Sequence, residues 1–345
     1  MSNRRSALTG LAVVLGACLL LAAGLLFGYW YLQTPRTVPA PLPSATATVP
    51  TLTPTQTPTQ TPTVTPTPTP ERPSGKIVYV CQIFAMAQRD QICIMNADGT
   101  GFRRLTFEDN TENYYPAFAP DGQSVVFASK RTGSYQIYEL DLATLATVQL
   151  THSLDEVAGP AISPDGRLIV FADVHAQYSR IWLMNRDGSN PHEVYGPSGV
   201  DSLDPTWSPD GSRILFSSGV GTDKQLFTIA PDGSDLQPVD TAFRTRGRTD
   251  WSRDGAWIAS YAGSPWTWSI YRLHPDGSDL QQFPVDGVAL APAFSPDSQW
   301  IVFTGYLDNP GNPDGCEIYV MKLNGSQLTR LTYNNYCDWQ PRWGP

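Results

Sequence analysis

A short motif returns along most of this chain at a nearly constant interval, and that interval restricts the fold more than any other feature. Ala119-Pro120-Asp121-Gly122 reappears as Ser163-Pro164-Asp165-Gly166 and as Ser208-Pro209-Asp210-Gly211. Weaker copies follow as Ser252-Arg253-Asp254-Gly255 and Ser295-Pro296-Asp297-Ser298, so the aspartates stand 43–45 residues apart. A period near 44 is the length of one four-stranded propeller blade.

Each unit reads as four short strands. The first ends in a bulky residue just before the turn: Phe118, Ile162, Trp207, Trp251 or Phe294. Proline second and glycine fourth suit a type I turn. The second strand is a continuous apolar run, such as Leu168-Ile169-Val170-Phe171-Ala172. Continuous rather than alternating hydrophobicity means that both faces are covered, as stacked blades require. The third strand carries an aromatic at a fixed place: Tyr138, Trp182, Phe227, Tyr271 or Tyr319. An Asp-Gly or Asn-Gly pair then signals a tight hairpin into a short, polar fourth strand.

The two ends complement each other. Residues 75–107 supply a second strand (Lys76 to Cys81), a third (Gln91 to Asn96) and a fourth (Arg103 to Phe107), with no first. The C-terminal Trp339-Gln340-Pro341-Arg342-Trp343-Gly344-Pro345 reads as a first strand with nothing after it. Five full units and one shared unit predict an all-β, six-bladed β-propeller closed by its terminal strands. Closure removes exposed sheet edges. The units Trp207-Ser208-Pro209-Asp210-Gly211 and Ile92-Cys93-Ile94-Met95-Asn96-Ala97-Asp98-Gly99 resemble the TolB-type, WD-like propeller repeat over residues 75–345. The resemblance implies a protein-binding platform with the propeller face and central channel as contact surface. The family's amino-terminal α/β domain has no counterpart here, which argues against a direct role in a Tol system.

What precedes the repeats is different. Residues 1–6 carry Arg4 and Arg5, and residues 7–32 contain no formal charge. A 26-residue helix would span about 39 Å, more than the ~30 Å hydrocarbon core. With the preceding arginines and Tyr29-Trp30-Tyr31 at the far end, this reads as a single transmembrane helix, a signal anchor with the propeller outside. The competing reading is a lipobox, Leu15-Gly16-Ala17-Cys18, although apolar sequence continues beyond Cys18. Residues 33–74 hold 12 Pro and 14 Thr. Proline at that density forbids helix and sheet, so the segment reads as a disordered stalk with a reach of about 130 Å. Its threonines are candidate sites for O-linked sugars. The organisation expected is thus a cytoplasmic tail (1–6), an anchor (7–32), a Pro/Thr-rich linker (33–74) and a propeller (75–345) in a bacterial cell membrane.

Cys81, Cys93, Cys316 and Cys337 lie in the part expected outside, where disulfides persist. Cys316 opens a third strand and Cys337 precedes the closing strand, both on the face where first strands begin. Cys81 ends a second strand and Cys93 sits in its hairpin partner, where other units have an aromatic. Cys316–Cys337 and Cys81–Cys93 are the expected pairs, against an alternative of free buried thiols.

The same face carries the long, varied loops: Glu108 to Tyr115, Leu154 to Val157, Gly199 to Asp204 and Arg244 to Asp250. Variable loops on a rigid ring are where binding concentrates. The candidate binding residues are Tyr114, Tyr115, Asp155, Glu156 and Asp204, a basic spot of Arg244, Arg246 and Arg248, and the loop residues Trp266 and Trp268. Ser260 replaces the phenylalanine usual at its position, so the two tryptophans either bind a ligand or fill that gap. The chain carries −9, and the stretch from residue 75 carries −12. Such a charge disfavours nucleic acid and suits a cationic or neutral partner.

Catalytic signals are sparse. The four histidines, His152, His175, His192 and His274, lack metal-ligand spacing, and no nucleophile elbow, phosphate loop or C-x-x-C occurs. In Asp308 to Gly315, Pro310 stands where a calcium loop needs a carboxylate. The expectation is a monomeric, non-catalytic scaffold without cofactor or metal, bound to the membrane and to a protein or another envelope component. The alternative is a carbohydrate-active or metal-dependent enzyme that uses His152/His175 and Trp266/Trp268 on the loop face.

Overall fold

Short apolar runs broken every few residues by turn-forming Asp-Gly pairs leave room for strands only. The computed structural model describes residues 71–82, 90–108, 111–152, 154–175, 177–245, 247–264, 267–308 and 315–345. The expected anchor and the expected stalk up to residue 70 lie outside them. Among the described residues no helix is long and apolar enough to cross a membrane.

Among the described residues, twenty-four strands form six four-stranded antiparallel sheets. Blade two consists of β4 (Asn113–Phe118), β5 (Ser124–Ser129), β6 (Gln136–Asp141) and β7 (Thr147–Gln149). Blade three has β8 (Val157–Ile162), β9 (Leu168–His175), β10 (Tyr178–Asn185) and β11 (His192–Tyr195). Blade four has β12 (Asp201–Trp207), β13 (Ile214–Val220), β14 (Asp223–Ile229) and β15 (Gln237–Val239). Blade five has β16 (Asp250–Trp251), β17 (Ile258–Ala262), β18 (Ser269–Leu273) and β19 (Gln281–Gln282). Blade six has β20 (Val288–Phe294), β21 (Trp300–Tyr306), β22 (Glu317–Lys322) and β23 (Thr329–Arg330).

Blade one joins the two ends of the repeat region. Its order is β24 (Asp338–Gly344), β1 (Lys76–Gln82), β2 (Asp90–Asn96) and β3 (Arg103–Arg104). Gly344 pairs with Lys76 and Asp338 with Cys81, so the C-terminal strand is the innermost ribbon of the sheet begun at the other end. Both expected disulfides are present, with Cα–Cα separations of 5.8 Å for Cys81–Cys93 and 4.5 Å for Cys316–Cys337.

The repeat aspartates are turn formers. Asp165 Oδ1 accepts the Ser163 hydroxyl at 2.6 Å and the Arg167 amide at 3.1 Å, and Asp210 does the same in its own turn. These bonds to the charged form hold both carboxyls below the ordinary range. Val125 to Ala128 are fully buried because neighbouring blades cover both faces of β5. The third-strand aromatics stack on second-strand phenylalanines, Phe127–Tyr138 at 6.0 Å and Phe303–Tyr319 at 5.7 Å. These pairs point at the preceding blade: Phe127 and Tyr138 share a core cluster with Val78, Val80, Ile92 and Ile94 of blade one.

Blade five departs from the pattern. Ser260 is buried and its hydroxyl bonds Thr245 at 2.7 Å, while Phe243 stacks on Tyr271 at 5.0 Å. Phe243 and Thr245 therefore fill the space that Ser260 leaves. Trp268 instead meets Tyr261 edge-on, and Trp266 lies outside the described residues. Thr245 also bridges Lys224 of blade four to Ala262 of blade five. The chain is drawn outward there, which leaves β16 only two residues.

Candidate functional site

Proline near the middle of the innermost strands shapes the centre of the ring. Proline cannot donate to the ladder, so pairing is interrupted there, and the residue before it stands in the left-handed region. Tyr115, Gly159, Asp204, Ala291 and Gln340 precede Pro116, Pro160, Pro205, Pro292 and Pro341, with φ between 51° and 59°. The bulges aim these residues at the axis.

In blade five Arg248 takes the equivalent place and spans the channel. Its guanidinium donates to the Gln340 carbonyl of blade one and to the Pro116 carbonyl of blade two, both at 3.2 Å. It lies 5.5 Å from the centre of the Tyr115 ring. Gln340 Oε1 accepts the Tyr115 amide at 2.8 Å. Burial lowers the Arg248 guanidinium to about 9, with help from the like charge of Arg342 and against the pull of Asp204. Burial raises the Asp204 carboxyl, and Arg248, Arg342 and Lys224 oppose that rise. A second layer lies beneath. Arg342 donates to the Thr249 carbonyl at 2.8 Å and sits 3.6 Å from Asp250. The axis is thus closed by two arginines whose protons are committed to backbone carbonyls and carboxylates.

On the turn face this floor ends a small funnel of about 90 Å³, walled by Phe118, Trp207, Trp251, Phe294 and Trp343. The described chain enters at the same face. The Ser74 carbonyl accepts the Trp343 indole at 2.8 Å, and Glu71 pairs with Lys322 at 2.6 Å.

The opposite, loop face carries a tyrosine cluster between blades one and two. Tyr114 packs against Tyr135 at 5.7 Å, Trp339 at 5.4 Å and Tyr115 at 6.4 Å. All four rings are half-buried. The Tyr114 hydroxyl donates to Asp90 at 2.6 Å, and the Tyr135 hydroxyl donates to Glu112. Burial raises the Asp90 carboxyl and the Tyr114 bond opposes it. Glu156 accepts the Tyr135 amide at 3.2 Å, which brings the Asp155-Glu156 loop to the edge of the cluster. Half-exposed rings rimmed by carboxylates are suited to hold a side chain with an apolar stem and a cationic head.

The family comparison agrees with this repeat architecture: residues 62–190 and 141–284 match the TolB β-propeller domain. The chain belongs to that family. A stretch of 121 residues is 31% identical to the Tol-Pal system protein TolB of Bordetella pertussis, covering 35% of this chain and 27% of that protein. Another of 123 residues is 25% identical to an uncharacterized protein of Agrobacterium fabrum, covering 34% and 40%. The chain thus spans well under half the length of these curated relatives. Among solved structures, TolB from Acinetobacter baumannii superposes with a TM-score of 0.69 at 22% identity, covering 79% of this chain and 67% of that one. At that identity the likeness shows the fold alone.

Within this TolB-type ring the candidate residues separate. Tyr114, Tyr115 and Glu156 join one loop-face cluster, with Asp155 beside them. Asp204, Tyr115 and Arg248 meet at the axis. Arg244 and Arg248 do not form one basic spot: Arg244 is half-exposed and pairs with Asp223, whereas Arg248 is only 5% exposed inside the channel. The bulge-like turn at the start of blade five carries Arg248 inward. Arg246 lies outside the described residues, as does the side chain of His175. His152 is exposed. Asp308 is occupied by Tyr319 and Arg330, each at 2.8 Å, while residues 309–314 lie outside the description. Among the described residues no three His, Cys, Asp or Glu side chains are grouped to hold a metal. The sequence reading missed Tyr135, Glu112, Asp90 and Trp339. Glu112 lay within the Glu108 to Tyr115 loop, and Trp339 carried a signal as the aromatic opening the closing strand.

Proposed function

We propose that this chain is a membrane-tethered, extracytoplasmic propeller that binds a protein partner on its loop face and carries no chemistry of its own. The observation that carries the reading is the cluster of Tyr114, Tyr135, Tyr115 and Trp339 rimmed by Asp90, Glu112 and Glu156. Tyrosine and tryptophan are the residues that interface centres favour. The acidic rim and the net charge suit a basic segment on the partner. Membership of the TolB propeller family supports a protein-binding role in the envelope. The channel, filled by Arg248 and Arg342, supports a surface contact rather than passage of a small molecule.

Tethering follows from the 7–32 apolar stretch and the stalk. The described chain enters at the turn face, opposite the loop face. The test is capture from detergent-solubilised native membranes with the full-length chain, alongside a Tyr114→Ala/Tyr135→Ala variant. A basic protein retained by the wild type and lost at least about tenfold by the variant is the expected result. Equal retention by both, or none by the wild type, would overturn the assignment.

A further inference from the structure

Beyond that surface, the junction of the last and first blades holds a second opening with a chemical cause. Five blades fill the space toward the preceding blade with a third-strand aromatic. Blade one has Cys93 there, paired in register with Tyr79 and bonded to Cys81. With that ring missing, a groove of about 360 Å³ remains beside Tyr79 and Cys81, in the low part of the roughly 300–1,000 Å³ range of small-molecule sites. Two exposed rings line it, Tyr333 at 75% and Phe102 at 63% exposure. Tyr333 is held in place: its hydroxyl donates to the Arg330 carbonyl at 3.1 Å, and the Arg330 guanidinium lies 4.7 Å from its ring centre.

Polar groups line the same groove. Asn334 accepts the Tyr336 amide at 2.7 Å and donates to Asp338 Oδ2 at 2.7 Å. The other oxygen of that carboxyl, Asp338 Oδ1, is buried and has no hydrogen-bond partner among the described residues. An unpaired buried carboxyl oxygen costs stability unless something completes it. Burial and the adjacent charge of Glu317 push this carboxyl up to about 7, so at neutral pH it both accepts and donates. An ammonium group can only donate to it. A hydroxyl can do both.

From the groove, the two exposed rings and the orphan oxygen, we infer that the blade six–blade one junction is a binding site for a neutral, hydroxyl-bearing saccharide. Its C–H face would lie on Tyr333 or Phe102, and one hydroxyl would complete Asp338. The disulfides Cys81–Cys93 and Cys316–Cys337 flank the groove, so little ordering would be needed on binding.

The test is calorimetric titration of the full-length protein with maltotetraose, cellotetraose and chitotetraose, each to roughly 10 mM, ten times a Kd of about 1 mM. Binding of at least one is expected, weakened about tenfold or more by Tyr333→Ala. Because Tyr333 is exposed, that change leaves the fold intact. Val148→Ala, at an exposed apolar position on the outer strand of blade two, should leave binding unchanged. Binding by none of the three probes, or equal binding by Tyr333→Ala, overturns the proposal. A protein held by the wild type and released by Tyr333→Ala, with no saccharide binding, would also overturn it and reassign the groove to a peptide.

Discussion

Replacing Asp338 with asparagine should make the protein more stable at pH 8 and leave it nearly unchanged at about pH 4. Asp338 is 2% exposed, and the groups around it are Glu317, which is 1% exposed, with Arg330, Thr332, Asn334 and Tyr79. Glu317 is satisfied by Thr332, Arg330 and the Asn334 amide, which oppose the upward effect of its burial. On Asp338, Asn334 and the Thr332 hydroxyl oppose the upward effect of burial, while Oδ1 has no hydrogen bond among the described residues. Its folded value of about 7 lies well above the ordinary 3.8 of an unfolded chain. The folded state therefore holds the proton more tightly. The stability this provides is complete below about pH 4 and is lost as pH rises through 7. The gap corresponds to at most roughly 4 kcal/mol at about 1.36 kcal/mol per pH unit.

An asparagine removes the charge, keeps an acceptor for Asn334, and offers its amide toward Glu317. If half the cost is recovered, the gain at pH 8 is about 2 kcal/mol. For a domain of this size that is about 4–8 °C in melting temperature. The assay is scanning calorimetry of wild type and Asp338→Asn from about pH 4 to pH 8. The wild-type midpoint should fall across this window relative to the variant, and the two should converge at the acid end. A variant destabilised equally at both ends would show that Asp338 is charged and satisfied in the folded ring, which would refute the argument.

Three further outcomes follow from the architecture. Deleting residues 338–345 removes the innermost strand of blade one, including the 6%-exposed Trp343. It should cost more than the 3–5 kcal/mol typical of a single buried tryptophan truncation, and an unchanged melting curve would disprove closure. Cys316→Ser/Cys337→Ser opens a loop of 21 residues, for which chain entropy gives about 3 kcal/mol. Denaturant midpoints would measure it, and a loss below about 1 kcal/mol would show that the pair does not restrain the unfolded chain. Arg248→Met leaves two channel carbonyls without their donor and Asp204 without its largest compensating charge. A loss of about 3–5 kcal/mol is expected, partly restored by adding Asp204→Asn. No restoration would mean that the two side chains are not coupled.

Much of the fold was legible because the repeat carries redundant signals. The Asp-Gly turns, continuous second strands and third-strand aromatics each mark the same period, so an exception such as Ser260 does not hide it. The closing strand was legible because Trp343 occupies the position of Phe118 and Trp207. The disulfides were legible because register brings Cys81 and Cys93 onto paired strands. The candidate site was less so. Tyr114 and Tyr115 stood out as loop aromatics, yet their partner Tyr135 comes from the β5–β6 connection and Trp339 from the other end of the repeats. Arg248 read as one of three exposed loop arginines, because nothing local shows that the bridge made by Thr245 draws the chain outward before it turns to the axis. The groove was invisible for a similar reason. It arises from what Cys93 lacks, and a missing ring becomes a cavity only once blade six stands beside it.

In a ring of near-identical blades, the consensus residues are explained by folding: turns need their aspartates, and stacking needs its rings. Function has to be sought where a unit departs from its siblings at some cost to packing or charge. Such departures cluster in two places. One is blade five, where Ser260 and Arg248 trade a core ring and a bulge proline for an interblade bridge and a channel plug. There the exchange is compensated internally, since Phe243 restores the stacking and the arginine's donors find carbonyls. The other is the junction of blades six and one, where Cys93 replaces a ring and Asp338 stands where blade two has the neutral, fully bonded Asn113. Here a groove stays open beside Tyr79 and Cys81, and one carboxyl oxygen has no hydrogen bond among the described residues. A departure repaired from within is an alternative solution to folding, whereas one left unrepaired calls for a ligand. By that criterion the seam, more than the channel, is the part of this propeller that folding alone does not account for.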